Sequence, residues 1–311
     1  MPRQFRRKRV LIVGCGDVGL RCAEELRRFS TVLGTSRSPK CEALQTPNIR
    51  ALALNLDTNT RASRKHNIAG LASWIIYLVP PSPTGSTDIR LRYFLTRSCN
   101  TGHNSVNAKF HSKSTKKTRL VYISTSGVYG DCQGDWLDET RPVSPQSERA
   151  IRRLNAERQL RTAGKKGFRI SIVRTPGIYA SNRLPTEHLQ QGKPILLTEE
   201  DIYTNHIHAD DLANICIRAL FYGKPNRVYH ASDDSSLKMG DYFDTVAQAL
   251  GLSLPPRVSA KAIKTQLSAS LWSFMRESRR LKNQRIKTEL HVRLRYPTVY
   301  EGLAVLKPRQ V

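Results

Sequence analysis

Acidic side chains are scarce in this chain. It carries 25 Asp and Glu against 51 Lys and Arg in 311 residues, a formal net charge of +26. A surface so basic attracts nucleic acid, anionic lipid or phosphorylated ligands, and composition alone does not choose among them. Other absences narrow the choice. Aromatic residues make up only 7 % of the chain, and no basic stretch is interleaved with aromatics as a base-stacking platform requires, so no specific nucleic-acid partner is expected. No apolar run approaches the ~20 residues that cross a bilayer, so no membrane partner is expected either. The six cysteines (Cys15, Cys22, Cys41, Cys99, Cys132 and Cys216) form no C-x-x-C pair and no Cys/His cluster at zinc spacing. That argues against a secreted disulfide scaffold and a structural metal, and no metal site is expected. With 39 % hydrophobic and 24 % charged residues, disorder, collagen and coiled coil are poor descriptions of the whole.

What is present begins at the amino terminus. The basic run through Arg9 followed by Val10-Leu11-Ile12-Val13 has the outline of a signal peptide, but Gly14, Gly16 and Asp17 break the apolar stretch at once. We read a first strand instead, and expect a soluble, cytoplasmic protein. The short apolar run suits a strand covered on both faces. It leads into Gly14-Cys15-Gly16-Asp17-Val18-Gly19, after which Leu20, Ala23, Leu26 and Phe29 recur at helical spacing. Strand, G-x-G-x-x-G and helix in that order is the context of a dinucleotide-binding turn. Gly14 permits the tight turn, Gly16 lets backbone approach a pyrophosphate, and Gly19 lets helix pack on strand. The first helical turn, with Asp17 and Val18, offers its N–H groups and positive dipole end to the phosphates.

A second strand, Thr31 to Thr35, runs into Ser36-Arg37. An acidic residue about 20 positions past the glycines would bind the ribose 2′-hydroxyl of NAD. None stands there. Arg37 does, and a cation suits the 2′-phosphate of NADP, so NADP is favoured over NAD. Ala51 to Asp57 reads as a third strand, bringing Asn55 and Leu56 toward the cofactor, and Trp74 to Pro81 as a fourth, bringing Val79 and Pro80. A crossover helix is due between Arg97 and Arg119, but that stretch is polar and basic with almost no apolar periodicity, and a loop or poorly ordered insertion is predicted.

A fifth strand, Leu120 to Ile123, leads into Ser124-Thr125-Ser126-Gly127-Val128-Tyr129-Gly130, and a sixth, Ile170 to Val173, into Arg174-Thr175-Pro176-Gly177-Ile178-Tyr179. Asn205-His206-Ile207-His208-Ala209-Asp210-Asp211-Leu212 follows. With the opening glycine loop, these segments resemble the extended and atypical short-chain dehydrogenase/reductase superfamily, the NAD(P)-dependent epimerases and dehydratases. The resemblance runs from about Val10 to Leu303. It implies a Rossmann-type, doubly wound parallel α/β sheet with a smaller C-terminal α/β substrate-binding part. The expected division is an NAD(P)-binding domain over 1–181 with 203–231 returning to it, and a substrate part over 182–202 and 232–311.

The resemblance also implies site residues. Thr125, three positions before the Val of Val-Tyr-Gly, would be the catalytic hydroxyl. Ser124, Pro176 and Ile178 would line the cofactor, and Ser126, Tyr179, Arg183 and His208 the substrate. The loop-rich stretch that begins near Asn182 would be the substrate lid. Such enzymes carry Tyr-x-x-x-Lys on the next helix, where Tyr is the acid/base and Lys lowers its pKa and holds the nicotinamide ribose. Here Arg149 and Arg153 fall at those positions, and no tyrosine lies between Asp131 and Gly177. A guanidinium does not exchange protons near neutral pH. Arg153 could still bind a ribose or phosphate, or Arg149, Arg152, Arg153 and Arg158 could form a solvated basic face. His206 and His208 share a strand face with Asp210 and Asp211 nearby. The resemblance assigns that segment to docking, with Asp210 or Asp211 capping the following helix, rather than to metal. Further on, Met239 to Gly251 reads as an amphipathic helix with Gly251 at its C-cap, and Ser278 to Lys287 as a basic helix.

Two functions follow. One is an NAD(P)-dependent oxidoreductase or epimerase acting on a small, sugar-like or nucleotide-linked substrate, with a homodimer left open. The other is a catalytically silent NADP(H)-binding sensor.

Overall fold

Strand β1 (Arg9–Val13) is apolar at every position from Val10 onward and buried there, which requires cover on both sides of the sheet it joins. The computed structural model describes residues 7–37, 49–57, 68, 70–99, 117–264, 272 and 275–305. In it β1 is an inner strand of a seven-stranded parallel sheet. The other strands are β2 (Thr31–Ser36), β3 (Ile49–Ala53), β4 (Trp74–Tyr77), β5 (Thr118–Thr125), β6 (Phe168–Thr175) and β7 (Arg227–His230). Their order is β7-β6-β5-β4-β1-β2-β3. β1 runs parallel to both β2 and β4, so the chain reverses its direction of travel across the sheet at this strand. In a doubly wound sheet that reversal opens a crevice beyond the carboxyl ends of the strands.

Compactness divides the chain into two units. The first comprises Met1–Ser124, Ile151–Val173 and Ala213–Val228; the second comprises Thr125–Ala150, Arg174–Leu212 and Tyr229–Val311. Every passage between them falls inside a strand or helix, so no Pro- or Gly-rich linker marks the division.

In the first unit, alternate sheet residues Leu11, Val13, Leu33, Ile75, Tyr77, Leu120 and Tyr122 join one apolar cluster. With them pack Leu91, Phe94 and Leu95 of helix α2 (Ile89–Cys99) and Ala156, Leu160 and Ala163 of helix α3 (Glu148–Lys165). The intervening residues Val10, Ile12, Val32, Ile76 and Val121 point to the opposite face and are equally buried. Helix α1 (Asp17–Leu26) buries Val18, Cys22, Ala23 and Leu26.

The second unit has its own core, in which Tyr179, Leu189, Leu237, Tyr242, Val246 and Leu303 meet. Its helix α5 (Met239–Leu250) ends at Gly251 in the left-handed region, φ +66°, as expected. Helix α4 (Ala209–Tyr222) links the units.

Four expectations need correction. The third strand ends at Ala53, because the Asn55 side chain accepts the Asp57 N–H at 2.9 Å and turns the chain. The fourth strand ends at Tyr77. The crossover helix does exist: α2 begins before the region searched and reaches Cys99. Asp88 caps it, its Oδ1 accepting from Leu91 N at 3.0 Å. The remainder of the predicted insertion, 100–116, lies outside the described residues. Finally, 278–287 is not one helix. Arg280–Leu281 pairs in parallel with Trp136–Leu137, and only Gln284–Glu289 is helical.

Because α2 is anchored through Phe94, whose ring centroid lies 5.1 Å from that of Tyr77, Phe94→Ala should lower the unfolding free energy by ~3–5 kcal/mol. Urea denaturation measures this, and a loss below about 1 kcal/mol would mean that α2 does not share this core.

Candidate functional site

The glycine loop is built by contacts that leave no room for a side chain. Gly14 has φ +93°, its N–H donates to Thr35 Oγ1 at 3.0 Å, and a Cβ there would stand 2.8 Å from Val79 Cγ2. At Gly19 a Cβ would stand 2.6 Å from the carbonyl oxygen of Gly14, so α1 packs directly on the turn. Gly16 differs. It is exposed, and a Cβ there would meet nothing within 4 Å. No side chain caps α1. Half-buried Asp17 pairs with Arg21 at 2.9 Å, and Val18 is buried. Open space in front of an uncapped helix start fits the diphosphate of a dinucleotide.

The other expected cofactor residues of this unit follow the strand ends. Ser36 is half-buried, and its carbonyl accepts from Leu54 N at 2.9 Å. Arg37 is exposed at the carboxyl end of β2. Asn55 is exposed and Leu56 buried; Val79 is half-buried and Pro80 exposed. The loops after β3 and β4 are tied together by a residue that sequence reading missed. Arg90 of α2 pairs with Asp57 at 2.5 Å and donates to the carbonyls of Pro80 and Pro81 at 3.0 and 3.2 Å. Ser124 is buried and donates to the buried carboxylate of Glu157 at 2.6 Å.

Where the Lys of Tyr-x-x-x-Lys is expected, Arg153 donates to the carbonyl of Ile123 at 2.7 Å and the Tyr122 hydroxyl at 3.1 Å. Burial pushes that phenol up to about 12, against the pull of Arg153, so it holds its proton at neutral pH. Arg152 is also turned inward, donating to Gly85 O at 3.1 Å. The solvated basic face therefore does not include Arg152 and Arg153. Long guanidinium side chains reach buried carbonyls that a sequence does not reveal. Arg158 is exposed.

In the second unit, Thr125 is the last residue of β5 and half-buried. Its hydroxyl oxygen accepts from Gly127 N at 3.2 Å, capping the single 3-10 turn Ser126–Tyr129. Ser126 is buried, Arg149 half-buried and Arg183 exposed. Pro176 and Ile178 are half-buried. Tyr179 is fully buried, and its hydroxyl donates to Thr298 O at 3.2 Å.

Tyr129 is committed as well. The carbonyl of Lys282 faces His230 Nδ1 at 3.0 Å, so that nitrogen carries the proton. Nε2 then accepts from the Tyr129 hydroxyl at 2.6 Å, and Arg174 donates to the same oxygen at 2.7 Å. Burial lowers His230 to about 3, keeping the ring neutral.

His206 and His208 are both buried, on the strand His206–His208. The ring of His206 stacks on Tyr242 at 3.9 Å and is lowered to about 3 by burial. The expected capping by Asp210 or Asp211 is corrected. His208 Nδ1 accepts from Asp210 N at 3.2 Å, while both oxygens of Asp211 accept from Arg295 N and Tyr296 N, at 2.7 and 2.9 Å. A carboxylate with two backbone donors from a distant segment docks that segment and is unavailable to its own helix. Among the described residues no three His, Cys, Asp or Glu side chains converge as a metal site, and no helix is long and apolar enough to cross a membrane.

Asp233 is almost fully buried, and burial raises its carboxyl to about 8. The folded chain therefore favours the protonated form, a stabilisation complete below the unfolded value and lost as pH rises through about 8. His206 and His230 act in the opposite sense, losing stability as pH falls from 6.5 toward about 3. In Asp233→Asn the melting temperature relative to wild type should rise steadily from pH 3.8 to about 8. A difference independent of pH would show Asp233 to be ionised throughout.

The profile of the NAD dependent epimerase/dehydratase family matches residues 11–231. No curated protein matches the chain. Among solved structures, a functionally unknown conserved protein from Silicibacter pomeroyi is 26 % identical, with a TM-score of 0.78 over 96 % of this chain and 98 % of that one. The dTDP-glucose 4,6-dehydratase DesIV from Streptomyces venezuelae, solved with NAD, is 17 % identical, with a TM-score of 0.72 over 96 % and 95 %. A UDP-glucose 4-epimerase from Thermotoga maritima, solved with UDP-glucose, is 16 % identical, with a TM-score of 0.70 over 95 % and 96 %. The last two share the fold.

Proposed function

The chain belongs to the NAD-dependent epimerase/dehydratase family, and from that membership we propose that it is an NAD(P)-binding oxidoreductase or epimerase acting on a small, sugar-like or nucleotide-linked substrate. The observation that carries this reading is the loop at 14–19, where Gly14 and Gly19 are closed off by packing and Gly16 alone faces open space. Gly16 and the first turn of α1 hold the diphosphate. Arg37, exposed past β2, reaches the 2′-phosphate of NADP, which is favoured over NAD. When bound, the dinucleotide supplies a hydride acceptor or donor. Thr125 orients the substrate oxygen that loses or gains a proton, its own oxygen already fixed by Gly127 N. Arg153, bonded to Ile123 O and the Tyr122 hydroxyl, holds the end of β5 against α3 and handles no proton.

Calorimetric titration with NAD, NADH, NADP and NADPH tests cofactor binding directly. Arg37→Ala should weaken NADP(H) by about 1.5–3 kcal/mol, roughly tenfold or more, with little change for NAD(H). Equal loss for both removes the assignment of Arg37.

Turnover is tested with dTDP-glucose, UDP-glucose and UDP-glucuronic acid, which occur in the names of the structural neighbours. Thr125→Ala should lower kcat by about 10²-fold with cofactor affinity unchanged. The commitment of Arg153 to a carbonyl and a phenol favours one other reading, the silent NADP(H) sensor. Tight dinucleotide binding without hydride transfer to any compound would support it.

A further inference from the structure

Neither Arg149 nor Arg153 exchanges protons near neutral pH, and Tyr129 is locked between His230 and Arg174. Tyr179 is fully buried. A carboxylate stands where none of these does. An ideal Cβ on Gly127 would lie 3.5 Å from Thr125 Oγ1 and 3.6 Å from Glu277 Oε2. Two oxygens, one a hydroxyl and one a carboxylate, thus border the same small space, left open because residue 127 has no side chain. Thr125 already accepts from Gly127 N, so its own O–H is left to donate.

Glu277 is held firmly in this position. It is 6 % exposed, and Arg279 Nη2 donates to its Oε2 at 2.8 Å while Nη1 of the same guanidinium donates to Gly130 O. The segment that follows is fixed by backbone bonds. Ser278 N donates to Asp131 Oδ1 at 2.9 Å, and Ser278 O accepts from Cys132 N and Gly134 N at 3.0 and 3.1 Å. Beyond it Arg280–Leu281 pairs with Trp136–Leu137. These contacts join the 277–281 segment to the loop that follows the 3-10 turn after Thr125, and so fix the carboxylate beside that turn.

We propose that Glu277 is the acid/base partner of Thr125, an inference that rests on the enzymatic function proposed above. In the oxidising direction the substrate O–H bond breaks as its carbon–oxygen double bond forms. The proton passes from the Thr125 hydroxyl, through a water in the space that the two oxygens border, to Glu277 Oε2. The carbinol hydrogen leaves with its electron pair as hydride, to the oxidised nicotinamide dinucleotide, which is reduced. In the reducing direction Glu277 returns the proton to the new alcohol.

Two substitutions separate chemistry from folding. Glu277→Gln keeps the oxygen that accepts from Arg279 but removes the basicity. Gly127→Ala adds a Cβ at ordinary contact distances of 3.5–3.7 Å, so the chain folds, yet the methyl takes up the space that the two oxygens border. On the compound of the panel that the wild type turns over best, Glu277→Gln should lower kcat by about 10²-fold or more, leaving KM and NADH affinity, read from nucleotide fluorescence, unchanged. Gly127→Ala should also lose turnover while melting and binding NADH like wild type. Glu277→Ala should regain rate when sodium formate is added, because formate supplies the missing carboxylate. Wild-type kcat in Glu277→Gln overturns the inference alone. So does failure of formate to rescue Glu277→Ala in protein that is folded and binds NADH. Should Glu277→Gln not fold, full activity in Gly127→Ala does the same. Absence of turnover by the wild type on every compound of the panel overturns the enzymatic reading, and the inference with it.

Discussion

The first unit depends on one close approach. The start of α1 rests on the carbonyl of Gly14, and Gly14 in turn lies against Val79, two residues past β4. A Cβ at either glycine would sit well inside normal contact distance, 2.6 Å from backbone at Gly19 and 2.8 Å from a side chain at Gly14. The turn therefore holds β1, β4 and α1 at separations that no other residue permits, and Thr35 of β2 joins them through its hydroxyl. The carboxyl ends of three adjacent strands are locked around one loop. That arrangement leaves Gly16 facing open space with helix N–H groups behind it, so the open helix start follows from a packing constraint.

Such a constraint is legible in a sequence because few residues satisfy it. The loop at 14–19 could be read directly, and the strands from their unbroken apolar runs. Helix α2 was not legible, because its buried positions Leu91, Phe94 and Leu95 are set among Arg90, Arg92 and Arg97, and the basic background hides a narrow stripe. The segment at 278–287 misled for the opposite reason. Its spacing suits a helix, but Arg280 lies between two rings, 5.1 Å from Trp136 and 4.3 Å from Tyr203, and its backbone pairs with a strand about 144 residues earlier. Local pattern carries no information about a partner so far away.

Arginine shows the same limit. Arg90, Arg152 and Arg153 each donate to backbone carbonyls, so side chains that read as surface charge act as internal ties between loops and helices. A carbonyl left without a partner is a feature of the folded backbone, not of composition. Arginines at the positions expected for Tyr and Lys are therefore compatible with an intact helix α3 and an intact end of β5.

Scarcity of acids sharpens this point. With 25 carboxylates in the whole chain, the buried ones are conspicuous, and most have structural partners. Asp88 caps α2, Glu157 accepts from Ser124, Asp211 docks 295–296, and Glu139 accepts from His230 N. Glu277 likewise has a partner that fixes it in place, the guanidinium of Arg279. It differs in what its oxygen borders, which is a small space beside Gly127 that the Thr125 hydroxyl also borders. Proton transfer needs a group held in a fixed position beside the reacting oxygen. A tyrosine–lysine pair would be held there by a helix; a carboxylate pinned by Arg279 and by the backbone of 278 is held by a strand pairing, and proton exchange without such a pair requires some group fixed in this way.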